Sequence, residues 1–253
     1  SSTHCGSGVP ASEPSQPSAW MPSWSCRERT RTDHRWCASD LDWLTPEPVF
    51  VGGATIGLFL DAFGRSQVHP TDDVDCTVPE VVTRTQWWKL EEQLRNRRWA
   101  PDPTGPTCRY RSPQDTVVDL MPQDPEVLGF SSSWYPHVVL HAERRPLSTG
   151  RSILVPTPAL LLACKLEAYE ARGAADPYGS EDLEDIAALL DGCPELESSV
   201  AAATESVQSW VAEALKRLRE STASWTALGA QLPRSGDHAA QEQRIEALVD
   251  RLW

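Results

Sequence analysis

Long apolar runs are missing from the sequence, and so are the cysteine pairs of disulfide-rich and zinc-binding proteins. No apolar stretch reaches the roughly 18 residues that a membrane-spanning helix requires, which argues against a membrane-spanning protein. The seven cysteines are scattered and never form a Cys-x-x-Cys pair, which argues against a disulfide framework or a zinc knuckle. Reduced thiols in the cytoplasm are the simplest interpretation. The N-terminus also lacks the basic start and apolar stretch of a secretory signal.

Positive charge is also in short supply. The chain has 23 lysine and arginine residues against 36 aspartate and glutamate residues, a formal net charge of −13. This balance argues against a surface covered by nucleic acid but leaves room for a local basic groove. Lysine occurs only at Lys89, Lys165 and Lys216. Because Lys165 lies within an apolar segment, it is a candidate functional residue.

One stretch, residues 84–111, does carry an excess of arginine, with Trp87, Trp88, Trp99 and Tyr110 interleaved. Arginines with aromatic side chains between them can bind a nucleic-acid backbone and stack on its bases. The same pattern is typical of an amphipathic helix whose charged face is solvated and whose tryptophans lie in the core. Both interpretations remain open at the level of the sequence.

Composition divides the chain into three parts. Hydrophobic residues make up 40% of the 253 residues, which is enough to bury a core. Residues 1–40 are rich in serine and proline without periodicity, and they predict a disordered tail. Residues 41–155 mix strand-like and helical patterns and predict a small α/β (α+β) domain with a mixed sheet. Residues 156–253 have helical spacing and predict a helical domain.

Local patterns predict the individual elements. Thr157 and Ser180 are expected to be helix N-caps, and Gly192 is expected to end the second of these helices. The expected strands are residues 49–51, 73–78, 109–111, 116–121, 137–141 and 153–155, and the expected helices are residues 54–62, 87–99, 158–173 and 181–191, followed by two or three helices from residue 197 onward.

The most informative segment begins with the Gly52-Gly53 pair that follows the first strand. Glycines between a strand and a helix let backbone N–H groups approach a phosphate. Asp73 and Asp75 are two residues apart on a strand, so their side chains share one face. Two such carboxylates can bind a pair of Mg²⁺ ions, and Asp119, on a later apolar strand, can supply a third.

Each of these features also has a simpler explanation. A Gly-Gly pair is commonly a turn, an Asp-x-Asp pair is commonly a solvated strand end, and an isolated aspartate among apolar residues can be hydrogen-bonded in the core. Lys165 can extend from a surface helix to solvent. Asp182, in the first turn of a Ser-capped helix, stabilises the helix dipole whether or not it is catalytic. It is the order of these features along one chain that favours a common site.

That order resembles the DNA polymerase β-type nucleotidyltransferases over roughly residues 48–192. Gly-Gly, a helix, Arg65, the Thr71-Asp-Asp-Val-Asp75 segment and a later strand aspartate follow one another as in that superfamily. Pro158-Ala-Leu-Leu-Leu-Ala-Cys-Lys-Leu-Glu-Ala and Ser180-Glu-Asp-Leu-Glu-Asp-Ile are similar to a lysine helix and an Asp-x-x-Asp helix. Within the superfamily, the chain most resembles the AbiEii-like nucleotidyltransferase toxins of type IV toxin–antitoxin systems.

The resemblance implies roles for particular residues. The two Mg²⁺ ions would be bound by Asp73, Asp75 and Asp119, which with Lys165 and Asp182 would form the catalytic set. The nucleotide would be bound by Gly52, Gly53, Thr71 and Lys165. The sequence departs from the pattern at Gly53, where many members of the superfamily have serine, so a hydroxyl contact to phosphate is missing.

The implied reaction is the transfer of NMP from an NTP to an acceptor hydroxyl, with release of pyrophosphate. For a toxin of this kind the expected acceptor is RNA, namely the 3′ end of tRNA, and the expected partner is a separately encoded antitoxin. A nucleotidyltransferase that modifies a small molecule such as an aminoglycoside is an alternative, because the net charge of −13 suits a cationic substrate. A non-catalytic nucleotide-binding relative is a third possibility, against which the retention of all three carboxylates argues.

Overall fold

A computed structural model describes residues 39–68, 71, 73–232 and 238–253. These residues form a mixed seven-stranded sheet and eleven α-helices, and the helices predominate toward the C-terminus. The predicted α/β fold with a helical C-terminal region is therefore confirmed. The predicted tail lies outside the described residues, apart from residues 39 and 40.

The sheet has the strand order β3-β4-β5-β2-β1-β7-β6. The pairs β2–β5 and β1–β7 are parallel, and the other neighbouring pairs are antiparallel. The strands are β1 (Val49–Val51), β2 (Val74–Thr77), β3 (Ala100–Pro101), β4 (Arg109–Arg111), β5 (Val117–Met121), β6 (Glu143–Pro146) and β7 (Ser152–Val155).

Six helices lie between or directly after the strands, and five more follow them. They are α1 (Gly53–Ile56), α2 (Ala62–Gln67), α3 (Arg84–Asn96), α4 (Pro125–Leu128), α5 (Tyr135–Leu140), α6 (Pro158–Ala168), α7 (Glu181–Gly192), α8 (Leu196–Ala202), α9 (Glu205–Glu220), α10 (Thr222–Gln231) and α11 (His238–Arg251). A π-helical turn, Tyr169–Gly173, extends α6, and a 3₁₀ turn, Pro177–Gly179, precedes α7. No helix among the described residues has the length and apolar character needed to cross a membrane.

The centre of the sheet is built from short, buried apolar strands. Val118 and Leu120 of β5 and Cys76 of β2 are fully buried, and the polar residues between them alternate to the opposite face. The parallel register places Asp75 of β2 directly beside Asp119 of β5. The two aspartates therefore project from adjacent strands at the same level of the sheet.

Helices α6 and α7 pack on each other, and α7 also packs on α1 and α2. The Thr157 hydroxyl accepts a hydrogen bond from Leu160 N–H at the start of α6, and the Ser180 hydroxyl accepts one from Leu183 N–H at the start of α7. Both predicted N-caps are thus confirmed. One continuous set of buried apolar side chains extends from the sheet through these two helices to the C-terminal helices.

Two predicted elements are wrong. The helix expected at residues 54–62 is interrupted, because α1 ends at Ile56 and Asp61 caps a new helix, its carboxylate accepting a hydrogen bond from Gly64 N–H at 2.7 Å. The turn between them buries Phe59 and Leu60. The strand expected at residues 137–141 is helix α5, because burial of Val138 against the core outweighs the strand preference of its β-branched pair.

Other elements were missed or misjudged in extent. The edge strands β3 and β6 were not predicted, because β3 has two residues and β6 contains Glu143, Arg144 and Arg145. The helix expected at residues 158–173 is α-helical only to Ala168 and continues as the π-helical turn. The C-terminal region has four helices from residue 196 onward in its described part, instead of two or three.

The Ser180 cap generates a stability prediction. We expect Ser180→Ala to lower the free energy of unfolding by about 1 kcal/mol, because the first turn of α7 loses the acceptor for Leu183 N–H. Urea denaturation followed by circular dichroism measures the change. Ser209→Ala makes the same substitution at an exposed position inside α9 and serves as the matched control. An equal effect of both substitutions would contradict the capping role.

Candidate active site

The three predicted carboxylates come together at one cavity of about 810 Å³. Asp73 immediately precedes β2, Asp75 lies within β2, and Asp119 lies beside it in β5. The cavity is also lined by Gly53, Thr71, Lys165 and Asp182, so it contains every predicted site residue except Gly52. Gly52 lies against the carboxylate of Asp75. Residues that are more than a hundred positions apart in the sequence therefore meet at a single site.

Asp75 is held in an environment that disfavours its ionised form. The surrounding protein removes water from its side chain, and the nearby charges of Asp73 and Asp119 repel it, so its pKa rises to about 7. The charges of Lys165 and Arg172 oppose that rise only in part. The site therefore holds more negative charge than its own cations neutralise.

Arg109 of β4 lies between the other two carboxylates. Its Nε donates to Asp119 Oδ1 at 2.8 Å, and its Nη2 donates to Asp119 Oδ2 at 2.8 Å and also to Asp73 Oδ2. This is the bidentate geometry in which a guanidinium binds a carboxylate most strongly. Within the described part of the chain, no cation makes an equivalent contact with Asp75.

In the sequence, Arg109 stands out only as a member of the basic stretch, and its place in the site was not predicted. The signal was nevertheless available. Ser112 N–H donates to Thr116 O, which closes a tight turn between β4 and β5. Counting outward from that turn pairs Arg109 with Asp119, as the antiparallel register has it.

The Gly52-Gly53 turn leaves no room for side chains. Gly52 has φ +77° and ψ −173°, a conformation that other residues rarely adopt, and a Cβ there would lie 1.9 Å from Asp75 Oδ2. A Cβ at Gly53 would lie 2.9 Å from Thr71 Cγ2 and 3.2 Å from an oxygen of Asp185. This crowding disfavours any larger residue at either position.

Lys165 is buried in the protein, with 8% of its surface exposed, so it does not extend to solvent from a surface helix. Its Nζ lies 2.6 Å from Asp185 Oδ2 and 3.2 Å from Asp182 Oδ1. Burial alone would lower the pKa of Lys165, but the two carboxylates outweigh burial and raise it, so the amine stays protonated. Lys165 is thus a cation already held by two acids of α7.

Asp182 is held from two sides. Arg172 Nε donates to Asp182 Oδ2 at 2.7 Å and its Nη2 to Asp182 Oδ1 at 3.0 Å, while Lys165 approaches from the core. Burial raises the pKa of Asp182, but the bonds and charges of Arg172 and Lys165 outweigh it and hold the pKa below its usual value. Because 72% of the Arg172 side chain is exposed, it is the most accessible of the three cations at the cavity.

Two further residues of the resembling segment have local roles. The Thr71 hydroxyl donates to the backbone oxygen of Asp73 at 3.0 Å, which fixes the chain as it enters β2. Arg65 donates to the backbone oxygen of Leu60 at 3.0 Å and does not line the cavity. Asp185, to which the sequence analysis gave no role of its own, contacts Lys165 and faces Gly53.

Acidic side chains dominate the cavity lining. Among the residues that the structure describes, eight carboxylates and three cations line it, a formal net charge of −5. Besides the three strand aspartates, the acids are Glu181, Asp182, Glu184, Asp185 and Asp191, all from α7. A polyanionic ligand would enter this cavity only with additional positive charge.

The aromatic residues of the basic stretch lie mainly in the core. Trp87, Trp99 and Tyr110 are buried, and the rings of Trp87 and Tyr110 are 6.3 Å apart. Of the four, only Trp88 is exposed, at 62%. Arg111 is also paired, with Asp102 and Asp115. For three of the four rings the core interpretation is therefore confirmed, and they are not available to stack on bases.

The donor set suits a hard divalent cation, because all three candidate ligands are carboxylates and their negative charge is only partly compensated. As arranged, with Arg109 bonded to Asp73 and Asp119, the described residues contain no group of three or more ligands positioned to hold a metal ion. Comparison with known proteins adds no relative: no protein-family model matches the chain, and no curated protein matches it.

The contact between Gly52 and Asp75 generates a prediction. We expect Gly52→Ala to destabilise the fold by roughly 2 kcal/mol more than Gly150→Ala, because its Cβ would overlap the Asp75 carboxylate. Gly150 also has a positive φ, +82°, but a Cβ there would meet nothing within 4 Å. Urea denaturation of the two variants compares the loss at Gly52, which includes the overlap with Asp75, with the loss at a glycine of positive φ in open space. Equal losses would show that the overlap is relieved at no cost.

The raised pKa of Asp75 generates a pH prediction. The folded state disfavours its ionised form, so this group destabilises the fold increasingly as the pH rises from the unfolded pKa to about 7. In metal-free buffer we expect Asp75→Asn to raise the free energy of unfolding at pH 8 by about 2 kcal/mol more than at pH 5. Glu80→Gln removes the same charge from an exposed turn and is the control. A gain that does not depend on pH would contradict the shift.

Proposed function

We propose that the protein is a Mg²⁺-dependent nucleotidyltransferase of the DNA polymerase β type, similar to the AbiEii-like toxins, which transfers NMP from an NTP to an acceptor hydroxyl. The observation that carries this proposal is the register of Asp75 beside Asp119 on parallel strands, opposite a glycine turn and across a cavity of about 810 Å³. The order of motifs in the sequence supports the same reaction. Retention of all three carboxylates argues against a non-catalytic relative.

The reaction assigns chemistry to this chain's own residues. Asp73, Asp75 and Asp119 would hold two Mg²⁺ ions, which would lower the pKa of the acceptor hydroxyl and neutralise the leaving group. The acceptor oxygen would form a bond to the α-phosphorus, the bond from that phosphorus to the bridging oxygen would break, and pyrophosphate would leave. Asp119 is the candidate acceptor of the hydroxyl proton. The glycine turn would receive the phosphates against its backbone.

Lys165 and Arg172 would both support nucleotide binding, but in different ways. Lys165 is buried between Asp182 and Asp185, so its charge would act on the site mainly by fixing these acids and by stabilising the ionised form of Asp75. Arg172 is exposed at the cavity and would contact the triphosphate directly. Asp182 would orient both cations.

Two acceptor classes follow from different observations. The resemblance to toxins supports the 3′ end of tRNA, with a cognate antitoxin as partner. The net charge of −5 at the cavity favours a cationic small molecule of the aminoglycoside type. The four described cysteines form no disulfide, which supports a location in the cytoplasm for either activity.

Label transfer tests the proposed function. Purified protein is incubated with Mg²⁺ and each α-labelled NTP, either with total tRNA or with a panel of aminoglycosides. We expect transfer that requires Mg²⁺ and that falls at least a hundredfold in Asp73→Ala and Asp119→Asn, since even outer-shell partners of a metal site cost about 10–100-fold. Asp115→Asn, at the exposed end of the β4–β5 turn, is the matched control and should retain activity.

The acceptor that becomes labelled decides between the two classes. Label on tRNA supports the toxin-like activity, and label on an aminoglycoside supports the small-molecule activity. Nucleotide binding without transfer to either acceptor class, in a folded protein, would favour the non-catalytic relative. Transfer that survives in Asp119→Asn would contradict the assignment of the site.

A further inference from the structure

We infer that Arg109 is a positioning residue that occupies the metal-binding oxygens in the resting protein and has to leave them before a divalent cation binds. The inference rests on the proposed function, since it assigns Asp73 and Asp119 as metal ligands. In the absence of metal and nucleotide, Arg109 is the group bonded to these two carboxylates.

The geometry is that of a guanidinium bound to both ligands at once. Arg109 contacts both oxygens of Asp119 at 2.8 Å and also binds Asp73 through Nη2. Asp119 is almost fully buried, and 26% of the Arg109 side chain is exposed. Arg109 thus places a full positive charge between the two acids at the wall of the cavity.

The position of this side chain is fixed at its base. Arg109 lies in β4, whose backbone pairs with β5 and β3. Its aliphatic stem packs on Gly105, where a Cβ would lie 2.4 Å from Arg109 Cδ. The strand therefore keeps its place in the sheet, and the guanidinium can leave the acids only by rotation of its own side chain.

Competition with a metal follows from the chemistry of the two cations. A guanidinium stays protonated at any physiological pH, so loss of a proton cannot release the carboxylates. Each bond from Arg109 uses one lone pair of a carboxylate oxygen, and the positive charge of the guanidinium repels a metal ion from the lone pairs that remain. Exchange replaces one positive charge by a divalent ion, which better compensates the excess negative charge around Asp75.

Removal of Arg109 should therefore strengthen metal binding, although it removes contacts from the site. We expect Arg109→Gln to bind Mn²⁺ about tenfold more tightly than the wild-type chain in the absence of nucleotide. A factor of ten is less than the full strength of the three charge-assisted bonds, because Arg109 and Asp73 are partly solvated. Arg109→Lys, which keeps the charge but cannot bond to both carboxylates in the same way, should fall between the two.

Electron paramagnetic resonance of free Mn²⁺ measures the dissociation constant without requiring activity. Arg111→Gln is the matched control, because Arg111 lies two residues away on β4 and pairs with Asp102 and Asp115, outside the cavity lining. Its Mn²⁺ affinity should equal that of the wild-type chain. Circular dichroism verifies the fold of each variant, and Arg109→Lys decides the question should Arg109→Gln not fold.

A second measurement uses the wild-type chain. Phenylglyoxal modification followed by mass spectrometry should show Arg109 becoming more reactive when Mn²⁺ is added, with Arg111 as the internal standard. Equal or weaker Mn²⁺ binding in folded Arg109→Gln would overturn the inference and leave the metal site intact. No Mn²⁺ binding by any of the proteins would overturn both the inference and the metal dependence of the proposed function.

Discussion

The concentration of negative charge at the centre of the sheet is the constraint on which the rest of the site depends. Parallel pairing of β2 with β5 brings Asp75 beside Asp119, and Asp73 lies two residues away on the same face. Carboxylates this close cannot all be ionised without compensation, and burial together with repulsion from Asp73 and Asp119 raises the pKa of Asp75 to about 7. The residues around these carboxylates match this constraint. Arg109 bridges Asp73 and Asp119, and Gly52 leaves space for the carboxylate of Asp75 because it has no side chain.

A second set of charges connects this centre to the helices. A lysine as deeply buried as Lys165 requires partners, because an unpaired charge in the interior would cost several kcal/mol. Asp182 and Asp185 supply them from one helix, and Arg172 completes the network from the π-helical turn at the end of α6. The network fixes α6 against α7 and places Asp185 over the glycine turn. The same ion pairs therefore hold the two helices together and set the charge of the site.

The sequence predicted features that depend on neighbouring residues in the chain. It missed features that depend on contacts between distant residues. The strands at residues 49–51 and 109–111 and the caps at Thr157 and Ser180 could be predicted, because turn residues and capping side chains act within a few positions. The grouping of Asp75 with Asp119 also followed from motif order. Helix α5 could not be predicted, because its Val138 is buried by distant residues. The bridging role of Arg109 belongs to no motif, and it follows only from the register of β4 against β5 that the turn between them sets.

The charge of the cavity bears on the order of events in the proposed reaction. A triphosphate brings further negative charge to a lining that already has a net charge of −5, and all three of its cations are paired with acids. Coulomb repulsion in a partly desolvated cavity would oppose the entry of the proposed nucleotide without accompanying cations. Divalent cations would therefore have to enter before the nucleotide or together with it. Arg109 is the group that metal entry would have to move, so the same guanidinium that stabilises the resting site would also set how readily the site accepts a metal.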